Sequence, residues 1–190
     1  MTSKIKVNIL ADGGDNAIIT SDGAGSFTAS SGLASSVQSV GGIQMTPAFS
    51  AYLSANQSLT SNAFSVIQMN TEHFDSDGCY DTATYRFTPN QAGWYFLHTE
   101  ADINAGANSQ HYDGGVNINK NGSEIYASFS NYAASYPKRI PYQTSGIAYA
   151  NGTTDYFTTS CYLNAPAGTP SIDATSGRVT RWCGFKIIGA

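Results

Sequence analysis

From Thr46 onward the chain is cut at close intervals by turn-forming residues, and this punctuation leaves room for little except β-structure. The breaks are Asp77-Gly78, Gln91-Ala92-Gly93, Asn121-Gly122, Asn151-Gly152 and Pro166-Ala167-Gly168-Thr169-Pro170, rich in residues that accept positive φ or fix a bend. Between them the segments 48–54, 63–69, 80–88, 93–104, 115–120, 124–129, 146–150, 155–163 and 178–188 read as strands, and none reads as a helix. Many short strands joined by such turns predict an all-β sandwich, barrel or jelly roll.

Two strands carry large apolar groups on both faces. In Trp94-Tyr95-Phe96-Leu97 the alternation of a strand sends Tyr95 and Leu97 one way and Trp94 and Phe96 the other. Near the C-terminus Cys183, Phe185 and Ile187 share one face, and Trp182 and Ile188 the opposite one. A solvated sandwich sheet needs only one apolar face, so the second requires a cover, and identical subunits supply it most simply. Trp94, Phe96, His98 and Trp182 are the expected subunit-interface residues.

Of 12 Tyr, nine Phe and two Trp residues, only Phe27 precedes Thr46, so the chain divides into residues 1–45 and 46–190. The first part holds a period-two run, Lys4-Ile5-Lys6-Val7-Asn8-Ile9, a turn at Ala11–Asn16, a short strand Ala17-Ile18-Ile19-Thr20, a further turn, Ser26-Phe27-Thr28 and a Gly/Ala/Ser-rich run through Val37-Gln38-Ser39-Val40. Short strands without aromatic mass cannot offset chain entropy alone, so this segment is either disordered or shared with other subunits. Read as a stalk, it attaches through Ile5, Val7, Ile9 and Ile18.

A formal charge of -4 supplies no basic field for nucleic acid or an anionic membrane. No stretch approaches the roughly 18 apolar residues of a membrane helix, and the opening residues contain no apolar signal core. Charged residues make up 12%, against about a quarter in average domains, which suits neutral polar surfaces. Three widely spaced cysteines, Cys79, Cys161 and Cys183, fit neither a disulfide framework nor a metal knuckle; free buried thiols are the expectation, with one disulfide plus a leftover thiol as the alternative.

Seven motifs follow one another in order: Pro47-Ala48-Phe49-Ser50-Ala51, Phe64-Ser65-Val66-Ile67-Gln68-Met69, Phe74–Asp81, Arg86-Phe87-Thr88-Pro89, Gly93-Trp94-Tyr95-Phe96-Leu97, Val116–Gly122 and Cys183-Gly184-Phe185-Lys186-Ile187. Through them residues 46–190 resemble the globular heads of the complement component one q and tumour necrosis factor-like superfamily. The resemblance implies a ten-stranded jelly-roll sandwich that forms a homotrimer, here preceded by a short-stranded β stalk. The chain departs from the pattern in lacking a collagen repeat before the head and in carrying Gly152-Thr153-Thr154-Asp155 where the family has Gly-Asp. The opening Met-Thr-Ser-Lys-Ile-Lys-Val and the Gly-rich stalk resemble virion proteins of bacteriophages, especially marine tailed phages that carry such heads on short fibres.

No catalytic constellation is present. His73, His98 and His111 stand in no motif with a nucleophile or second ligand, so no enzymatic activity is expected. Asp75, Asp77 and Asp81 lie around a Gly turn and are the candidate calcium ligands, although the loop lacks the bidentate Glu of a helix–loop–helix site; no other cofactor is expected. The 106–112 and 131–139 segments combine Tyr, Ser, Asn and Gly, the residues of recognition surfaces, and His111, Tyr112, Tyr132, Tyr136, Lys138 and Arg139 are the candidate receptor contacts.

The resulting expectation is a non-enzymatic, trimeric phage fibre or knob protein of the virion. Its partners are copies of itself, other virion proteins and a host-surface glycan or protein, with no nucleic acid and no membrane insertion. Two alternatives stay open: a decoration or cement protein that binds no receptor, and a secreted lectin-like head of cellular origin, which the missing signal core disfavours.

Overall fold

The structure, a computed structural model, describes residues 8–24, 27–30, 45–174 and 179–188. The chain divides into two units, Met1–Gln44 and Met45–Ala190, and every regular element among the described residues is a strand. Ile5, Val7 and the 37–40 run lie outside the described residues.

The first unit contains β1 (Ile9–Ala11), β2 (Ala17–Ser21) and β3 (Phe27–Ala29), paired antiparallel in that order. Asp12 closes the first turn by accepting hydrogen bonds from Gly14 N at 2.8 Å and Asn16 N at 3.0 Å, and these bonds hold its carboxyl below the usual range. Ile9, Leu10 and Phe27 are 56%, 52% and 69% exposed, and Ile18 is half-buried. Three short strands with no second layer among the unit's described residues leave these side chains facing solvent.

The second unit contains β4 (Ala48–Tyr52), β5 (Gln57–Ser58), β6 (Ala63–Val66), β7 (Thr71–Asp75), β8 (Tyr80–Asp81), β9 (Arg86–Phe87) and β10 (Ala92–Asn104). It continues through β11 (Asp113–Lys120), β12 (Ser123–Asn131), β13 (Arg139–Asn151), β14 (Phe157–Asn164), β15 (Ser171–Asp173) and β16 (Arg181–Lys186). They form a seven-stranded sheet I, ordered β5-β15-β10-β16-β4-β7 with β13 on β10, and a six-stranded sheet II, ordered β12-β11-β14-β9-β8 with β6 on β14.

The ten strands that the family resemblance implies reappear once interrupted strands are counted as one. β15 and β16 share one edge of β10, because β13 fills the other along its whole length. β4 and β5 continue that row outward, and β6 and β9 likewise share one edge of β14 opposite β11. Among the described residues each sheet is therefore five rows wide. The β11–β12 turn is the Asn121-Gly122 hairpin, with φ of 52° and 83°, the conformation whose twist matches the strands it joins.

The core lies between the sheets. Phe49 of sheet I stacks on Phe87 of sheet II at 4.3 Å between ring centroids and meets Trp182 edge-on at 4.9 Å; Tyr80, Tyr95 and Phe157 extend the cluster. Such aromatic pairs add to the area they bury. At the free edge of β13, Tyr126 of β12 donates its hydroxyl to the Ile147 carbonyl at 2.5 Å and accepts from Ile147 N at 3.2 Å. Gly146 makes room, since a Cβ there would lie 2.3 Å from the Tyr126 ring.

Trp182 corrects the expectation that it faces a neighbouring subunit. It is fully buried within a single chain, paired with the equally buried Thr99, whereas Phe185 and Cys183 pair with Phe96 and His98 on the outer face. Alternation tells which residues of β16 share a face; only the register against β10 tells which face is inside. Replacing Trp182 by Ala is therefore expected to lower the unfolding free energy by about 3–5 kcal/mol in urea denaturation followed by circular dichroism.

Candidate functional site

Three surfaces of the head carry features beyond packing. The first is the outer face of sheet I, where side chains from β13, β10, β16 and β4 form cross-strand rows. Tyr149 lies beside Trp94 with ring centroids 5.7 Å apart, and the next row runs Ile147, Phe96, Phe185, Ala48, with the two Phe rings 5.3 Å apart. The third row, Ser145, His98, Cys183, Ser50, is small and mixed. The fourth is polar, with Glu100 and Arg181 joined at 2.8 Å. The face thus grades from aromatic to charged along the strands. Trp94, Ile147 and Tyr149 remain 43%, 49% and 45% exposed, a contiguous apolar area of the kind that marks an interface. His98 sits at the change, its imidazole held below its ordinary pKa first by burial and then by the nearby Arg181.

The second surface is the end of the sandwich where β10 leads into β11 and β12 into β13. Here Tyr112 and Tyr136 stack with centroids 4.1 Å apart, and Lys138 is exposed. Tyr132 is half-buried, its ring edge-on to His111 at 6.1 Å.

His111 itself is fully buried, which corrects its assignment as a receptor contact. Its Nε2 is 2.9 Å from the Tyr142 hydroxyl, its ring stacks on Tyr142, and Nδ1 has no hydrogen-bond partner. Tyr142 lies in β13 and stands in no motif that would mark it as the partner of His111. Burial pushes the His111 imidazole down to about 4. Arg139 is also committed within the chain: its Nε donates to Asp102 Oδ1 at 2.7 Å, its Nη2 pairs with the other Asp102 oxygen, and Asp173 lies 3.5 Å away.

The acidic loop is built for turns. Asp75 accepts from Asp77 N at 3.2 Å and Tyr80 N at 2.7 Å, and Asp81 accepts from Ala83 N and the Thr84 hydroxyl. Asp75, Asp77 and Asp81 do not converge as a ligand set, and among the described residues no group of three or more His, Cys, Asp or Glu could hold a metal ion. The three cysteines are free; Cys79 and Cys161 are buried, whereas Cys183 is half-buried on the outer face of sheet I. Burial pushes the Cys161 thiol up to about 12, so it stays protonated at neutral pH.

The third surface, on the outer face of sheet II, went unread in the sequence. Phe64, Tyr162 and Phe129 wall a cleft of about 400 Å³ beside Gly115. The available signal was the Gly114-Gly115 pair inside a strand, which marks close approach of another group.

No protein-family profile matches the chain, and neither does any curated protein. Solved structures do. Murine APRIL at pH 5.0 superposes with a TM-score of 0.54 at 11% identity, over 74% of this chain and 98% of that one. The globular domain of zebrafish complement 1qA gives 0.50 at 12% identity, over 74% and 97%. Eiger, a tumour necrosis factor from S. frugiperda, gives 0.50 at 10% identity, over 75% and 93%.

The fold is a complement/tumour necrosis factor-like jelly roll. At these identities the likeness concerns the fold alone, and what the surfaces do depends on this chain's own residues.

His111 is expected to make the jelly roll sensitive to acid. Because the folded pKa of about 4 lies below the unfolded value near 6.5, the unfolded chain binds the proton more readily. The stability is fully present above pH 6.5 and is lost as pH falls toward 4, on the order of 1–3 kcal/mol. Urea denaturation at a series of pH values checks this, and His111→Gln is expected to flatten the slope in that window.

Proposed function

We propose that this chain is a structural protein of a bacteriophage particle, a homotrimeric fibre or knob whose head faces the host. Residues 1–45 attach it to other virion proteins. The observation that carries the reading is the outer face of sheet I, where Trp94, Phe96, Phe185, Ile147 and Tyr149 form an apolar area that a second and third copy would cover. The family resemblance of residues 46–190 supports three copies. Exposed Ile9, Leu10 and Phe27 support a partner for the first unit, and the phage-like opening residues support a virion as its place. The stacked Tyr112 and Tyr136 with exposed Lys138 support recognition at their end of the head. The reading assigns no catalytic chemistry.

Light scattering at micromolar concentration is expected to give three times the chain mass of 20.1 kDa. Trp94→Glu or Phe185→Glu should yield a folded monomer with an unchanged circular dichroism spectrum. A stable wild-type monomer would overturn the reading. Purified protein that binds host cells and blocks infection supports a receptor role, whereas particles weakened by its removal, without cell binding, point to a cement protein.

A further inference from the structure

We propose that the outer face of sheet II binds an uncharged pyranose within an oligosaccharide. This goes beyond the reading above by adding a second recognition surface, distinct from the Tyr112 and Tyr136 end, and is independent of the assembly reading.

The site is built around Phe64, which is 61% exposed and stands between two adjoining hollows of about 400 and 380 Å³. On one side its ring meets Tyr162 at 5.2 Å and Phe129 edge-on at 6.1 Å. Gly115 lies between the strands that carry Tyr162 and Phe129, and a Cβ there would sit 2.4 Å from the Phe129 ring. The absence of a side chain therefore lets the rings form one wall. Asp113 and Asn131 border the same hollow.

On the other side the floor is a connected polar network. Asn117 Nδ2 donates to Glu124 Oε2 at 2.8 Å, Asn119 Nδ2 donates to the Ser160 hydroxyl at 2.9 Å, and that hydroxyl donates to Asn117 Oδ1. These bonds fix the groups in place while each carboxamide keeps a further N–H for a ligand.

A pyranose has the two properties this surface answers. One face of the ring presents C–H groups that pack on an aromatic side chain, and its rim presents hydroxyls that both donate and accept, as carboxamides and carboxylates require. Charge selects among sugars. Asp113 and Glu124 border the hollows and, among the described residues, no Lys or Arg does, so an anionic sugar would meet unpaired like charge. Sheet II faces away from the outer face of sheet I, so subunit contacts there leave this site open.

The test uses the full chain, with lactose, maltotriose and mannotriose as neutral probes and 3′-sialyllactose as the anionic one, read by saturation-transfer NMR and calorimetry. At least one neutral probe is expected to bind and sialyllactose to bind more weakly than lactose. Phe64→Ala and Phe64→Leu should weaken binding at least tenfold, Phe64→Trp should retain it, and melting temperatures should stay within a few degrees of wild type. No binding by any neutral probe, tighter binding of sialyllactose, or binding lost in Tyr136→Ala but kept in Phe64→Ala would each overturn the inference. A trimer that binds none of the sugars would leave the assembly reading intact.

Discussion

The stacking of Phe49 on Phe87 joins the two sheets, and the placement of the remaining residues depends on it. Once Phe49 and Trp182 point into that cluster, the alternation of each strand decides what points out. β10 shows the consequence most fully. Tyr95 and Leu97 enter the core, so Trp94, Phe96 and His98 must occupy the opposite face. Packing and the apolar outer face are therefore two outcomes of one register, and a slip of one residue would exchange them.

Much of this was legible in the sequence because it depended on local chemistry. Asn121-Gly122 specifies its hairpin through positive φ at both positions, and the 93–104 run nearly coincides with β10. β7 and β15 went unread because Thr71–Asp75 and Ser171–Asp173 are short and polar. β13 begins at Arg139, well before the expected 146, since its pairing with β10 carries it through Pro141, a residue an edge strand accepts.

The candidate sites were less legible, for a related reason. Trp182 and His111 were placed outside because a sequence gives the period of a strand but not the identity of its neighbours. Tyr142 holds His111 from β13, and Arg139 meets Asp102 and Asp173 across other strands. The cleft beside Gly115 requires β6, β14, β11 and β12 to be in register before its aromatic walls exist.

Tyr126 has a consequence for how copies can meet. An exposed sheet edge offers unpaired backbone groups to any passing strand, and proteins that leave such edges open are prone to join into fibrils. By occupying both the carbonyl and the N–H of Ile147, the Tyr126 hydroxyl blocks strand addition at the middle of β13. An incoming strand would have to displace the ring from over Gly146 before it could pair. Growth by sheet extension is thereby disfavoured at this edge of sheet I.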